Sequence, residues 1–428
     1  MTTTAPWPIT RVRERFPALQ RQTRSGHRQV FLDGPGGTQV PQSVSAAMVR
    51  YLHESNSNIE GEFEPSAATD RLIATAREYA GAFVGGQADC ITFGQNMTTL
   101  NFNLIRALGR TLAAGDEIIT TELDHEGNVS PWLLLAADRD LVVRTVRVRD
   151  DLTLDMDDLD AKLSDRTRVV AFTLASNAVG TLTPAGEIAR RAHEVGALAW
   201  ADAVAYAPHR RINVTALGCD AVLCSPYKFF GPHLGMSWLR PDLAENLPAE
   251  RVRPASNKPA GHRFETGTLS HEALAGFVAA IEYLADPAGE HAAGGYNGGH
   301  DGGYDAQTVA AALDRTYQAS QAWETALAEH FLAAVADIPG VRVAGPQTAD
   351  ADLRVGTFGL ILDELDVTRT ARALGELGIY TWNGDFYATG VVEHLGLQDR
   401  GGLLRAGIVH YNTTEDVDRF ADALAALS

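Results

Sequence analysis

The sequence has little cysteine and no long hydrophobic run. Its 428 residues include three cysteines, Cys90, Cys219 and Cys224, and no two of them are in CxxC spacing. A chain of this length with so few cysteines has no disulfide framework, so a reduced, cytoplasmic setting is expected. No apolar run approaches ~18 residues, and the first residues show no basic segment followed by an apolar one. The sequence therefore predicts neither a membrane span nor a signal peptide.

Basic side chains are also scarce. There are 36 lysines and arginines against 54 aspartates and glutamates, which gives a formal net charge of −18. Nucleic acids and anionic membrane surfaces both require a basic face, so neither is expected as a partner. An anionic ligand must instead be held by local groups. The length suits two domains, and a hydrophobic content of 45% is that of an ordinary soluble globular protein.

The stretch CDAVLCSPYKFFGPHLGMSWLR, residues 219–240, presents one lysine in an unusual setting. Residues 221–224 and 234–239 are predicted to be short buried strands, so Lys228 lies in the turn between them. Partial burial disfavours the charged form of an amine and makes it a nucleophile for a carbonyl. A solvated lysine at a loop tip would give the same local pattern, so the assignment depends on residues upstream.

Asp202 provides that support. It follows the apolar run 195–200, which predicts a parallel strand, and ligand-binding groups collect at the carboxyl ends of such strands. A carboxylate there and a lysine one strand later are the groups that pyridoxal 5'-phosphate (PLP) needs. The acid keeps the pyridine nitrogen protonated, and the lysine holds the aldehyde as a Schiff base. The sequence therefore predicts a PLP site built on Asp202 and Lys228.

A phosphate site is predicted upstream, where the segment GQNMTTLNF follows a short apolar strand. Asn96, Met97 and Thr98 stand where a helix begins. The first amides of a helix have no internal partner and, with the helix dipole, favour a phosphate. An ordinary helix N-cap would have the same composition.

The order of these segments resembles fold-type I PLP enzymes of the class V aminotransferase group, and most of all the cysteine desulfurase-like proteins. The resemblance runs from Phe31 to the closing segment AGIVHYNTTEDVDRFADAL. It implies an α/β fold with a mostly parallel central sheet in a large domain and a smaller α+β C-terminal domain. The expected boundaries are an N-terminal segment 1–30 packing on the small domain, a large PLP-binding domain 31–286, a Gly-rich loop 287–307 and a small domain 308–428.

The resemblance also implies roles for single residues. His125, within a pattern similar to HxxNxxPW, matches the histidine that stacks on the pyridine ring, and Asn177 matches an asparagine near the phenolic oxygen. Ser225 and Tyr227, next to Lys228, belong to the cofactor site, and Asn96 to Thr98 cradle the phosphate. Thr268, in RFETGT, matches a threonine that reaches the cofactor phosphate of the other subunit, which implies a homodimer with shared sites.

Arg405 matches the arginine that binds the α-carboxylate of the substrate, since a guanidinium makes two parallel hydrogen bonds to a carboxylate. Three positions depart from the family pattern. The segment TWNGDFYATG has Tyr387 at or near the position of the desulfurase cysteine, Tyr227 replaces a histidine, and Ala205 replaces a glutamine. A persulfide-forming desulfurase is therefore not expected, and Trp382 and Tyr387 are expected to contact a larger amino-acid substrate.

The expected function is thus a PLP-dependent reaction on an amino acid, with C–S β-elimination as the leading case. Lys228 would remove the Cα proton, and His125 and Asp202 would act on the cofactor ring. Amino transfer, epimerisation and oxidative deamination share the first steps and stay open, as does a non-catalytic PLP-fold binding protein. No metal site is predicted, since His291 and His300 stand among glycines that give no rigid scaffold.

Overall fold

The computed structural model of the chain describes residues 7–290 and 305–428. In these two ranges the helices are α1 (Ile9–Glu14), α2 (Gln42–Glu54), α3 (Glu64–Val84), α4 (Met97–Gly109), α5 (Ser130–Arg139), α6 (Met156–Lys162), α7 (Ala185–Glu194), α8 (Val214–Leu217), α9 (Pro241–Asn246), α10 (His271–Ala285), α11 (Ala306–Val335), α12 (Val367–Glu376), α13 (Thr389–His394) and α14 (Thr414–Leu427). The strands are β1 (Val30–Phe31), β2 (Ile91–Gly94), β3 (Glu117–Thr121), β4 (Val142–Val146), β5 (Thr167–Thr173), β6 (Leu198–Asp202), β7 (Ala221–Cys224), β8 (Gly235–Leu239), β9 (Val341–Ala344), β10 (Thr357–Leu362), β11 (Ile379–Tyr380), β12 (Trp382–Gly384) and β13 (Leu403–Gly407).

A seven-stranded sheet in the order β2-β8-β7-β6-β5-β3-β4 forms the centre of the large domain. Helices alternate with strands from β2 to β7, as crossover connections between parallel strands require. Only β8 in this sheet runs antiparallel to its neighbours. Strands β3 and β7 are buried along their whole length. The sequence of β7 is entirely apolar, as expected for a strand covered on both faces, whereas β3 begins with the buried Glu117, which is paired with Arg144 and Arg166. The predicted α/β fold with a mostly parallel sheet is confirmed.

The smaller domain is built on a four-stranded antiparallel sheet in the order β12-β13-β10-β9. Helices α11, α12 and α14 supply its other layer, and Phe331 of α11 stacks on Phe358 of β10 with ring centroids 4.0 Å apart. The expected α+β character of this part of the chain is confirmed. In β12 and β13, Trp382 is paired with Arg405, which fixes an aromatic side chain beside a basic one.

The N-terminal segment contacts both parts of the molecule. Arg13 and Arg28 each form an ion pair with the buried carboxylate of Asp416 in α14. By contrast, Val12 and Phe16 pack into the main hydrophobic core. Strand β1 pairs in parallel with β11 of the smaller domain, so the chain passes through that domain before it enters the larger one.

The Gly-rich stretch predicted at 287–307 lies mostly outside the described residues, as do His291 and His300. Helix α11 begins at Ala306, so it includes the last two residues of this stretch. Among the described helices, none has the combination of length and apolar character that crossing a membrane requires.

Candidate active site

A cavity of about 710 Å³ opens at the carboxyl end of the central sheet, where the two domains meet. It is lined by twelve of the residues that the sequence assigned to the site: Asn96, Met97, Thr98, His125, Asn177, Asp202, Ser225, Tyr227, Lys228, Trp382, Tyr387 and Arg405. These residues come from both domains and are separated by up to about three hundred positions in sequence. The fold therefore brings them together around one space.

Lys228 ends a short 3-10 turn, Pro226–Lys228, between β7 and β8. Its Nζ donates a hydrogen bond to the carbonyl oxygen of Pro35 at 2.5 Å and lies 5.0 Å from the centroid of the Tyr227 ring. Burial of the amine, reinforced by the positive charge of Arg405, lowers the pKa of Lys228 to about 7. A substantial fraction of this amine is therefore neutral at physiological pH, as a nucleophile or base requires.

Asp202 is the last residue of β6, and its side chain is buried. The backbone amide of Val204 donates to its Oδ1 at 2.8 Å. Burial raises the pKa of Asp202 to about 6, although the hydrogen bond from the Val204 amide and the positive charge of Lys228 oppose that rise. A cationic ligand group beside this carboxylate would favour its ionised form, because opposite charges attract strongly where water is excluded.

His125 lies in the loop between β3 and α5. Its Nδ1 accepts a hydrogen bond from the backbone amide of Gly127 at 2.8 Å, which holds the ring in place. Burial lowers the pKa of His125 to about 4, and the charges of Lys228 and Arg405 add to the effect. The imidazole is therefore neutral at physiological pH and presents a flat, uncharged surface to the cavity.

Helix α4 begins at the cavity wall. The side chain of Asn96 caps it, since its Oδ1 accepts the amide hydrogen of Thr99 at 2.8 Å. The amide of Met97 donates to Ser225 Oγ at 3.0 Å and is therefore already paired. A Cβ added at Gly235 of β8 would lie 2.3 Å from the carbonyl carbon of Asn96, so this glycine permits the close approach of the strand to the helix start.

Arg405 of β13 is fully enclosed by the site. Its Nη1 donates to the carbonyl oxygen of Asn177 at 2.8 Å, and its Nε has no hydrogen-bond partner among the described residues. Burial lowers the pKa of Arg405 to about 9 despite the opposing charge of Asp33, so the guanidinium stays protonated at neutral pH. A buried cation with an unpaired N–H is suited to bind a carboxylate.

Several site residues were missed by sequence reasoning. His233 lines the cavity and stacks on the predicted Tyr227, with ring centroids 4.9 Å apart and an angle of 14° between the rings. Asp33 has a buried Oδ1 without a partner among the described residues, and burial raises its pKa to about 6. Asp385 and Phe386 were not missed, since they belong to the predicted loop TWNGDFYATG, and they line the cavity between Trp382 and Tyr387. The glycines after Asp33 were the signal that could have directed attention to it.

Thr268 is the exception among the predicted residues. It lines a separate cavity of about 470 Å³, together with Arg77 and Glu265, and does not contact the site of its own chain. Its predicted role in the site of a second subunit stays a prediction. The three cysteines are all buried, and none of them lines the main cavity. The residue over His125 is Tyr387 instead, with ring centroids 5.5 Å apart.

The residues present suit PLP. The cavity is large enough for a cofactor together with an amino acid. Lys228 and Asp202 supply an amine of lowered pKa and a carboxylate inside it, and the start of α4 provides a place for the phosphate. Neutral His125 can cover one face of a ring, and the unpaired Nε of Arg405 is a donor suited to a carboxylate.

Comparisons with known proteins agree with this geometry. The chain is 30% identical over 435 residues to the "Probable cysteine desulfurase" of Streptomyces coelicolor, covering 96% of this chain and 95% of the relative. It is 31% identical to the aminotransferase-like protein FGM3 of Gibberella zeae, covering 97% of each.

Solved structures extend the likeness to the fold. The cysteine desulfurase CsdA of Escherichia coli superimposes with a TM-score of 0.81 at 22% identity, and the cysteine desulfurase of Thermococcus onnurineus with 0.83 at 22% identity. The alignment with CsdA covers 98% of this chain and 98% of CsdA. The alignment with the Thermococcus onnurineus enzyme covers 99% of this chain and 98% of that enzyme's chain. At this identity the likeness concerns the fold alone.

The sequence model of the class V aminotransferases matches residues 30–294 and 305–420, which is most of the chain. Fold, site geometry and sequence therefore agree: this chain belongs to the class V aminotransferase family of fold-type I enzymes, which use pyridoxal 5'-phosphate.

Proposed function

We propose that the protein is a PLP-dependent lyase that cleaves the C–S bond of an S-substituted cysteine by β-elimination, without a persulfide. This proposal rests on two features of one cavity: Lys228, an amine of lowered pKa, and an aromatic loop at the position where desulfurases have a reactive thiol. The cavity wall opposite His125 is formed by Tyr387, and the cysteines of the chain lie elsewhere, buried.

PLP, when bound, supplies an aldehyde that captures an amine and a protonated pyridine ring that withdraws electrons from the Cα bonds. Lys228 would hold the cofactor and, once released by the substrate amine, would be free to take up a proton. Its pKa of about 7 suits a base that works near neutral pH. Asp202 would hold the pyridine nitrogen in its protonated form.

Arg405 would bind the α-carboxylate. Its guanidinium is held by the carbonyl of Asn177 on one side and by the ring of Phe386 on one face, so its orientation is fixed before the substrate arrives. A substrate held by its carboxylate at Arg405 would be restricted in its orientation near Lys228, whose pKa the charge of Arg405 already affects.

The reaction balances without an oxidant or reductant. Lys228 Nζ takes the Cα proton, the electron pair of that bond forms a double bond between Cα and Cβ, and the electron pair of the Cβ–S bond leaves with sulfur. The sulfur takes up a proton and is released as a thiol. One water then hydrolyses the released enamine to pyruvate and ammonium.

The test is an assay of pyruvate and free thiol with purified, PLP-loaded protein and a series of S-alkyl cysteines. We expect the two products in equal amounts with wild type and neither with Lys228→Ala. Loss of cofactor absorbance with an amino acid, recovered by adding a 2-oxo acid, would instead identify amino transfer. Absence of pyruvate and thiol across the whole series would overturn the proposal of C–S cleavage.

A further inference from the structure

The outer part of the cavity has a charge pattern that the proposed chemistry does not use. Only two acidic residues line the cavity within the described ranges, Asp202 and Asp385. Asp202 is buried at the sheet, whereas Asp385 is exposed at the mouth. Asp385 also acts on the site, since its charge opposes the lowering of the His125 pKa. The cavity is therefore lined by one buried carboxylate, Asp202, and by one solvent-exposed carboxylate, Asp385.

The position of Asp385 is fixed by its loop. Its Oδ1 accepts the backbone amide of Tyr387 at 3.0 Å, and its carbonyl oxygen accepts the amide of Ala388 at 2.8 Å. No basic side chain of the described residues forms an ion pair with Asp385. Its remaining acceptor capacity is thus available to a ligand.

Contacts with the large domain hold the same loop against the cavity. Asn177 Nδ2 donates a hydrogen bond to the carbonyl oxygen of Phe386 at 2.9 Å. The backbone amide of Glu126 donates to the carbonyl oxygen of Tyr387 at 2.7 Å. Phe386 and Tyr387 both have left-handed backbones, with φ of 57° and 56°. Such conformations are costly for bulky residues and persist where surrounding contacts enforce them, which is common at binding sites.

Two aromatic residues of the same segment line the cavity together with Asp385. Trp382 and Tyr387 line the cavity and are 48% and 69% exposed, so their rings are accessible to a ligand. Trp382 is held against Gly36, where an added Cβ would lie 2.1 Å from its indole nitrogen. The ring of Phe386, by contrast, is already covered by the Arg405 guanidinium. Aromatic faces around an accessible carboxylate form an environment that favours a cation.

We propose that Asp385, Trp382 and Tyr387 bind a positively charged group at the end of the substrate's side chain, so that the enzyme acts on amino acids with a cationic side chain. This inference rests on the proposed function, because it assumes that Arg405 holds the α-carboxylate. The two ends of the substrate then meet opposite charges: carboxylate at Arg405 and cation at Asp385. Neutral side chains lose this attraction, and anionic ones meet repulsion.

The first experiment measures binding of three amino acids of similar length to the PLP-loaded protein by calorimetry: lysine, norleucine and 2-aminoadipate. We expect lysine to bind about tenfold more tightly than norleucine, with 2-aminoadipate weakest. The preference for lysine should shrink as salt concentration rises, because the mouth is open to solvent. Equal affinity for lysine and norleucine would overturn the inference.

Single substitutions test which residues cause the preference for lysine over norleucine. Asp385→Asn should reduce the ratio of norleucine to lysine dissociation constants to less than about threefold, and Trp382→Leu should reduce it in the same direction. Asp399→Asn removes an exposed carboxylate of the same domain that does not line the cavity, and should leave the ratio unchanged. An unchanged ratio in Asp385→Asn would contradict the assignment.

Exchange of the Cα proton in D₂O separates this inference from the proposed function. Lysine has no sulfur, but its Cα proton should exchange when Lys228 acts as the base. Exchange with norleucine as fast as with lysine would reject only the cation site. If none of the three amino acids exchanges, while S-(2-aminoethyl)cysteine also gives no pyruvate, the proposed function itself fails.

Discussion

The ring of Phe386 covers one face of the Arg405 guanidinium, with the guanidinium carbon 4.0 Å from the ring centroid. The carbonyl of Asn177 occupies Nη1 of the same group. These contacts leave the Nε edge for a ligand, where the structure has an unpaired donor among the described residues. A carboxylate that binds there can accept two parallel hydrogen bonds from the planar guanidinium, which a lysine side chain cannot provide.

Arg405→Lys should therefore weaken binding of an amino acid by about 10- to 100-fold, the value of a lost charged hydrogen bond. Calorimetry on the PLP-loaded protein measures this change. Binding of the corresponding amine without a carboxylate should hardly respond to the substitution. Equal weakening for amino acid and amine would show that the variant disturbs the site as a whole.

The lowered pKa of Lys228 predicts how the apoprotein takes up its cofactor. Only the neutral amine attacks an aldehyde, and a pKa of about 7 makes that form dominant above pH 7. The rate of PLP uptake, followed by absorbance, should rise with pH to a plateau above about pH 8, and at pH 6 it should be about tenfold below the plateau. A rate that still rises steeply at pH 10 would contradict this pKa.

A substitution at Asp202 provides a second test of the Lys228 pKa. Its charge raises the pKa of Lys228, against the larger effect of burial. Asp202→Asn removes that attraction, so the midpoint of the uptake profile should move to lower pH. A shift to higher pH, or none, would mean that the two groups do not interact in the apoprotein.

Much of this site could be predicted because its residues follow strand ends and helix starts. Asp202 ends a buried apolar strand and Asn96 precedes an amphipathic helix, so local sequence patterns mark both. Arg405 needed the family resemblance, since nothing in its local sequence indicates a ligand. His233 and Asp33 escaped because their roles depend on contacts with residues that are distant in sequence, which the fold alone creates.

The burial of the three cysteines predicts that the native protein resists alkylation. Burial raises the pKa of Cys90 to about 11 and that of Cys219 to about 12, and it raises the pKa of Cys224 further. Because the thiolate is the reactive form, native protein at pH 8 should react with iodoacetamide at least about 100-fold more slowly than free cysteine. Unfolded protein should expose all three thiols. A fast-reacting thiol after turnover with L-cysteine, with a 32 Da mass increase, would reveal a persulfide.

A buried ion pair secures the segment that contains Thr268. Arg77 of α3 binds Glu265 at 2.7 Å, with both side chains almost completely enclosed, and Glu265 also accepts the amide of Phe93 at 2.9 Å. His262 Nδ1 lies 2.7 Å from the same carboxylate. The pair therefore connects α3, strand β2 and the loop that precedes Thr268.

Replacing Arg77 with methionine leaves the Glu265 carboxylate buried without its cationic partner. The expected loss is about 3 to 5 kcal/mol of unfolding free energy, measured by urea denaturation. Arg71→Met, which breaks the exposed pair with Glu64, should cost less than about 1 kcal/mol, because solvent and salt screen that pair. Similar losses in the two variants would show that Arg77 contributes little through its charge. Because Arg77 lies outside the catalytic cavity, a drop in PLP affinity at temperatures where the variant is fully folded would indicate that this loop also supports the cofactor site.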